Sequence, residues 1–429
     1  MLTWTNVSRL WMIEHNAFRP GWLASTPRFF ALCRALEPLG WQTTLVGGRR
    51  NLLKRHPRIE QAFPGEWVMT RFPIGPWPRA VDYPYVRNLW IMAQRSRGNG
   101  DLIDDPETQW APRLERWARD RAERDGPPDV VWGITYADLR SPVAARRVSE
   151  RLGVPLVFEF HDPCPYPGYE LRPAEVRALE RTLLHASAIV TTTSTYASWL
   201  SDRYPEVADR VHVVYSSAPP VPPHLLAQGG RGASGSDGRL TLLHTGTLYG
   251  GGARNARSLV AALPFLFDRR PEAKGRVKLR LVGSGPGMAE AKMESKRAAV
   301  AEEVCTEPPV RPERIWRDML DADCLVLIKH ADPRFASQIP GKLFQYFAMK
   351  KPILTLAPEG ETAEIVRRSG LGLVAPPDAP HEIADRLVDL WDAKTDGRSL
   401  VTPAHSYIDQ FSEANMGLRV AAFLDELVG

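Results

Sequence analysis

Cysteine is scarce. The 429 residues hold four (Cys33, Cys164, Cys305 and Cys324), far apart and without a Cys-x-x-Cys pair. That excludes a disulfide framework, supplies no thiolate set for zinc, and fits reduced cytosolic thiols. Long apolar runs are missing as well: none approaches the ~20 residues that a bilayer-spanning helix needs. The N-terminal stretch MLTWTNVSRLWMIEHN has no basic segment leading into a long apolar one and a small-residue cleavage site. The expectation is a cytoplasmic protein rather than an exported one. Blocks of like charge are absent too. The 55 basic and 50 acidic residues leave a net charge of +5, with neither a basic stripe nor a nucleic-acid-binding module, so nucleic acid is not an expected partner. Lysine is the rare base: 10 of the 55, with only Lys54 before Lys274. Such an arginine excess arises from a GC-rich genome, or serves phosphate and anionic surfaces. What is plentiful is ordinary: 44% hydrophobic and 24% charged residues, a globular balance. At ~150 residues per domain the length implies two or three domains.

Short apolar runs alternate with helix-like segments, which predicts an α/β fold with largely parallel sheets. In the first half the strands are RLWMIEHN, WQTTLVGG, EWVMTRF, DVVWGI, PLVFEFHD, AIVTTTS and VHVVYSS, with helices over 27–39 and 177–186. Residues 75–126 break this rhythm, mixing Trp77, Tyr83, Tyr85, Trp90, Trp110 and Trp117 with arginines and prolines. They read as an insertion with a helix near its end. Residues 217–239 are rich in proline, glycine and serine, a linker composition. The alternation then restarts with LTLLHTG, VKLRLVG, DCLVLIKH, PILTLA and LGLVA as strands, and with helices from 255, to 300, and over 315–320, 342–349, 362–368 and 380–391. The organisation expected is an N-terminal domain over 1–216, a linker over 217–239 and a C-terminal domain over 240–410, with an amphipathic terminal helix over 411–428. Paired α/β domains of this kind bind ligands beyond the carboxyl ends of their strands.

Four strand-end loops carry residues suited to chemistry. The first, EHNAFRPG, ends at Gly21 ahead of a helix and can offer N–H groups to an anion, or be a plain surface loop. The second closes FEFHDP: His161 can exchange hydrogen bonds with a substrate hydroxyl near neutral pH, or satisfy a loop carbonyl while Asp162 caps the next turn. The third, HTGTLYGGGARN, has three consecutive glycines for close backbone approach and then Arg254; phosphate binding needs both ingredients, and a solvated turn is the alternative. The fourth, SQIPGKLFQYFA, puts Lys342 in the first turn of a helix, where the dipole disfavours it. An anion would relieve that conflict, as would simple extension into water. The run GSGPG from Gly283 lacks the third glycine of a dinucleotide fingerprint and reads as a strand-to-helix turn.

These residues carry a resemblance. HTGTLYGG with Arg254, LRLVGSGP, ADCLVLI and IPGKLFQYFAMKKPILTLAPEGETAEIVRRSGLGLVAPPD follow one another in an order similar to that of GT-B-fold glycosyltransferases of the family-4 type. In the first half PRFFALCRALEPLGWQTTLV, FEFHDP and AIVTTTS resemble the same family. The resemblance implies two Rossmann-like domains facing a cleft, with the terminal helix crossing back to the first. The activity it implies is transfer of a sugar from a nucleotide-diphosphate donor to a glycan, lipid-linked or small-molecule acceptor, with retention at the anomeric carbon. It implies His161, with Asp162 beside it, at the reacting centre. It also implies Gly21, Thr247, Arg254, Gly341 and Lys342 around the donor diphosphate, Ser337 and Gln345 at the ribose or sugar, and Gly283, Val304 and Cys305 near the base, the last two in a loop over 304–309. Neither a metal nor another cofactor is expected. Ser337 and Gln345 stand where the family carries two glutamates eight positions apart, and Thr247 where it carries an arginine. Those departures motivate the alternative of a catalytically inactive nucleotide-binding or scaffold protein. A sugar-nucleotide epimerase is a further alternative, lacking an evident acid/base carboxylate set. The 75–126 insertion suits acceptor recognition or a peripheral membrane contact, or packs on its own domain.

Overall fold

A computed structural model describes residues 7–15, 26–49, 64–71, 105–108, 110–135, 138–165, 168–227, 238–251 and 254–429, with 92, 93 and 96 besides. Gly21 and the aromatics Trp77, Tyr83, Tyr85 and Trp90 lie outside them. The chain divides into two units, Met1–Ser217 with Glu413–Gly429, and Ala218–Ser412.

Unit 1 is built on seven parallel strands in the order β3-β2-β1-β4-β5-β6-β7. They are β1 (Ser8–Glu14), β2 (Trp41–Arg49), β3 (Glu66–Arg71), β4 (Val130–Thr135), β5 (Leu156–Phe160), β6 (Ala188–Thr191) and β7 (Val211–Val213). β4, β5 and β6 are buried at every residue, as expected for a parallel sheet with helices on both faces. Those helices are α1 (Thr26–Leu36), α2 (Ala111–Asp125), α3 (Arg140–Leu152), α4 (Pro173–His185) and α5 (Ser194–Arg203). The sequence pattern did not single out α3 and α5, and α4 begins before 177 because Pro173 and the Arg172–Glu175 capping box set its start. The terminal helix α14 (Glu413–Val428) belongs to this unit. It packs on α1, where a Cβ at Gly417 would meet the Ala35 carbonyl oxygen at 2.7 Å, and Trp41 Nε1 donates to Asp425 Oδ1 at 3.0 Å. Of the aromatic insertion, Trp110 is fully buried and donates to Thr70 Oγ1 at 2.9 Å, while Trp117 packs on Trp11. Trp110 is thus a core residue of its own unit, the packing alternative, and Trp117 lies half-buried against the same core.

Unit 2 carries six parallel strands in the order β10-β9-β8-β11-β12-β13: β8 (Leu240–Thr247), β9 (Val277–Ser284), β10 (Val304–Glu307), β11 (Cys324–Ile328), β12 (Ile353–Leu356) and β13 (Gly372–Ala375). Its helices are α6 (Pro223–Ala227), α7 (Arg257–Arg269), α8 (Gly287–Arg297), α9 (Pro312–Asp321), α10 (Lys342–Phe347), α11 (Glu361–Arg368), α12 (Pro380–Thr395) and α13 (His405–Asp409). The stretch expected to be linker thus holds a short helix, α6. Val304 and Cys305 lie on an edge strand, not in a loop: among the described residues β10 pairs with β9 alone, and its four residues are all half-buried, so its apolar signal is too weak to read in sequence. Among the described residues no helix is long and apolar enough to cross a membrane.

Both sheets change direction once, between β1 and β4 in unit 1 and between β8 and β11 in unit 2. Open parallel sheets bind ligands beyond the carboxyl ends of the strands that flank such a switch.

Candidate functional site

The unit-2 switch gathers cations. β8 ends in His244-Thr245-Gly246-Thr247, and β11 ends at Ile328 with Lys329 directly after it. Gly246 has φ +120, and a Cβ there would overlap the Lys342 ammonium. Only glycine satisfies both the backbone and the space, so Gly246 lets Lys342 of α10 lie across the end of β8. Burial pushes the Lys342 ammonium down from the usual lysine value to about 8, and the Arg254 guanidinium pushes the same way. Among the described residues no carboxylate offsets either effect and Lys342 has no hydrogen-bond partner. Lys329 is 4% exposed. Burial and Arg254 lower it to about 8 against the opposing pull of Glu361. Its ammonium donates to the Ala336 carbonyl at 2.9 Å and to Thr362 Oγ1 at 3.2 Å. It thereby ties the segment before α10 to the first turn of α11.

The glycine loop after β8 is clasped rather than loose. Tyr249 N donates to Arg254 O at 2.8 Å, Gly287 N to Leu248 O at 3.0 Å, and Gly251 N to Glu290 Oε1 at 2.9 Å. The Arg254 guanidinium sits 5.6 Å from the centre of the Tyr249 ring, a cation–π spacing. His244 is buried. Its Nδ1 donates to the Val326 carbonyl at 3.0 Å, and burial with Lys342 and Arg254 nearby pushes it down to about 3, so it is neutral. Arg254, Lys329 and Lys342 therefore gather positive charge beyond the end of β8, with Glu361 acting on Lys329, an arrangement suited to a dianion.

Thr247 closes β8, with Oγ1 3.4 Å from Ser284 Oγ, and Gly283 lies opposite Gly246 in register. Gly341 is exposed at the start of α10; Gln345 is half-buried on that helix and Ser337 half-buried in the segment before it. Val304 and Cys305 open β10 and pair with Leu279 and Arg280, away from the carboxyl ends of these strands. Sequence reasoning missed Lys329. Its only signal is a lysine placed directly after the apolar run CLVLI.

In unit 1, His161 stands just past β5. Its N–H donates to Thr135 O at 3.2 Å, and its carbonyl accepts from Thr192 Oγ1 at 2.9 Å. Two residues earlier on the same face, Glu159 is fully buried. It accepts from Arg28 Nε at 2.5 Å and Trp132 Nε1 at 2.9 Å, and its Oε1 lies 3.7 Å from His161 Nδ1. Burial raises the Glu159 carboxyl, yet Arg28 and His161 prevail and hold it below its usual range. Asp162 is half-buried beside His161. At the β1–β4 switch, His15 Nε2 is 3.2 Å from Asp138 Oδ2 and its Nδ1 is 2.7 Å from Ser141 Oγ. No group of three or more His, Cys, Asp or Glu among the described residues could hold a metal ion.

Two family models match. A glycosyl transferase 4-like domain covers residues 24–217, and a glycosyl transferases group 1 domain covers residues 239–393. The chain belongs to the family-4-type GT-B glycosyltransferases. A search of curated proteins finds no match. Among solved structures, a glycosyltransferase from Rickettsia africae is similar at 13% identity and TM-score 0.66, over 99% of both chains. Anabaena HepE, solved with UDP and glucose, is similar at 12% identity and TM-score 0.64, over 98% of this chain and 100% of that one. A trehalose-phosphate synthase from Burkholderia vietnamiensis matches at 12% identity and TM-score 0.61, over 99% of both chains. At such identities the likeness is one of fold. This glycosyltransferase has two Rossmann-like units, each with the strand order that places ligands at a switch point.

Proposed function

We propose that this glycosyltransferase moves a sugar from a nucleoside-diphosphate donor to an acceptor hydroxyl with retention and without a metal. The observation that carries the reading is the Lys342 ammonium, half-buried over Gly246, next to Arg254 and with no carboxylate of the described residues acting on it. A diphosphate supplies the missing negative charge. In the reaction the bond from the anomeric carbon to the diphosphate oxygen breaks and a bond to the acceptor oxygen forms on the same face. The acceptor proton passes to the departing diphosphate. Lys342 and Arg254 stabilise the charge that develops on that leaving group. On this reading His161 hydrogen-bonds the donor sugar. The acceptor is a glycan, a lipid-linked sugar or a small molecule.

A thermal-shift panel of UDP, GDP, ADP, CMP and dTDP with their sugar conjugates tests the reading, with UDP tried first because the Anabaena relative is solved with it. A ligand at a hundred times its dissociation constant adds about 2.7 kcal/mol of stability. Stabilisation by one nucleotide supports the assignment and names the donor base. No stabilisation by any of them favours the inactive scaffold.

Affinity should also depend on pH. The Lys342 ammonium dominates below about 8, and only that form attracts a diphosphate. Binding is therefore full at neutral pH and weakens by up to about tenfold per unit above that value. Titration calorimetry of the stabilising nucleotide between pH ~7 and ~9 checks this, and Lys342→Ala should lose most of the slope. For folding without ligand the sign is opposite. The lysine's lowered value means that its charge costs stability at neutral pH, a cost relieved as pH rises from about 8 toward the unfolded value of 10.5.

A further inference from the structure

Lys329 is a costly choice for its position. It directly follows β11 and is 4% exposed, and lysine is rarely buried unless it makes specific bonds there. Methionine or leucine would fill the space without taking a charge out of water. Its backbone belongs to the sheet, Lys329 N donating to Leu356 O of β12 at 2.9 Å, so the side chain starts from a rigid point. The ammonium reaches the Ala336 carbonyl at 2.9 Å and Thr362 Oγ1 at 3.2 Å. A charged amine only donates, so the Thr362 oxygen accepts there and its own proton turns to the Gln338 carbonyl, 3.4 Å away. Both arms therefore end on the carbonyls that flank Ser337. The loop they hold is wound locally, with Phe335 N donating to Asp332 O at 3.0 Å, Ala336 N to Pro333 O at 2.9 Å and Gln338 N to Phe335 O at 3.1 Å. Those bonds shape the loop; Lys329 and Thr362 set it against β11 and α11.

We infer that Lys329, acting with Thr362, is a positioning residue for the donor: it clamps the carbonyls on either side of Ser337 and so sets where that segment stands ahead of Lys342. Serine makes this placement matter. Its hydroxyl is one bond from Cβ and follows the backbone, whereas a longer side chain would absorb a displacement through its rotamers. A shift of about 1 Å in a group that orients a substrate lowers turnover by as much as about a hundredfold. The consequence for transfer rests on the reading that places Ser337 at the donor; the clamp itself does not.

Two measurements on the full chain test this. Hydrogen exchange read by mass spectrometry follows the amides of residues 332–341 without any ligand. Lys329→Met keeps the side-chain length but removes the donor, and Thr362→Val keeps the shape but removes the hydroxyl. Each should speed exchange in that segment about tenfold, while Thr362→Ser should behave as wild type. The melting temperature of Lys329→Met should change little, because relief of a buried charge opposes the lost bonds and Ala336 is half-buried, within reach of water. With the donor identified by the panel, kcat/KM should fall about tenfold or more in Lys329→Met and in Thr362→Val, and Thr362→Ser should restore it. Should Lys329→Met fold poorly, the two Thr362 variants carry the test. Unchanged exchange in a folded variant, or faster exchange with kcat/KM intact, overturns the inference. Failure of the proposed function is a separate result, in which no nucleotide stabilises even wild type.

Discussion

Replacing Lys342 with alanine should lower kcat/KM by about 10²–10³, the loss that follows when one fixed donor to a developing negative charge is removed. It should also abolish the thermal stabilisation by the donor nucleotide. The fold should not suffer. Lys342 has no protein hydrogen-bond partner among the described residues, and burial depresses its ammonium, so the free protein loses a cost rather than a support. The expected pattern is an unchanged or slightly raised melting temperature without ligand, together with a lost ligand shift. A fall in the ligand-free melting temperature of several degrees would make Lys342 a structural residue and remove the basis of the proposed diphosphate site. Arginine at the same position would not rescue: the space over Gly246 holds a lysine stem, and the wider guanidinium fork needs more room.

Gly283→Ala should damage unit 2 severely. Gly283 pairs in register with Gly246, and a Cβ built on it would overlap the Gly246 carbonyl oxygen. The obstacle is backbone, so no rotamer change relieves it. β8 and β9 must part where β8 ends, and with them the Gly246 surface on which Lys342 lies. A cost of about 3 kcal/mol or more is expected, which lowers the melting temperature of a unit this size by roughly 6–12 °C. Nucleotide binding should weaken even in the fraction that stays folded. Calorimetry of the variant, with Gly275→Ala as a control, checks both parts. Gly275 has φ +74 but open space around its Cβ position, so that control carries backbone strain alone. Equal losses in the two variants would mean that close strand approach at Gly283 does not matter.

The two-unit α/β architecture was legible because parallel strands covered on both faces leave uninterrupted apolar runs, and DVVWGI, PLVFEF and DCLVLI are of that kind. Less hydrophobic elements were harder to see. Val304–Glu307 is an edge strand with four half-buried residues, two of them Thr306 and Glu307, so its signal resembled a loop. The glycine loop after β8, Arg254 and Lys342 could be picked out because glycine runs and a lysine in a first helical turn are locally odd choices that call for an explanation. Lys329, Glu159 and Arg28 offered no such oddity. A lysine after a strand, a glutamate inside one and an arginine in an amphipathic helix are each ordinary in sequence.

What the amino-acid sequence determined by itself, then, is periodicity, and through it the strands and the helices, together with the motif order that carries the family resemblance. Only the tertiary structure decided which charges share a buried environment. Lys342 and Arg254 are 88 positions apart, and Arg28 and Glu159 are 131 apart. Neither pair can interact until the strands and helices of its unit are folded together, where burial strengthens the interaction between charges.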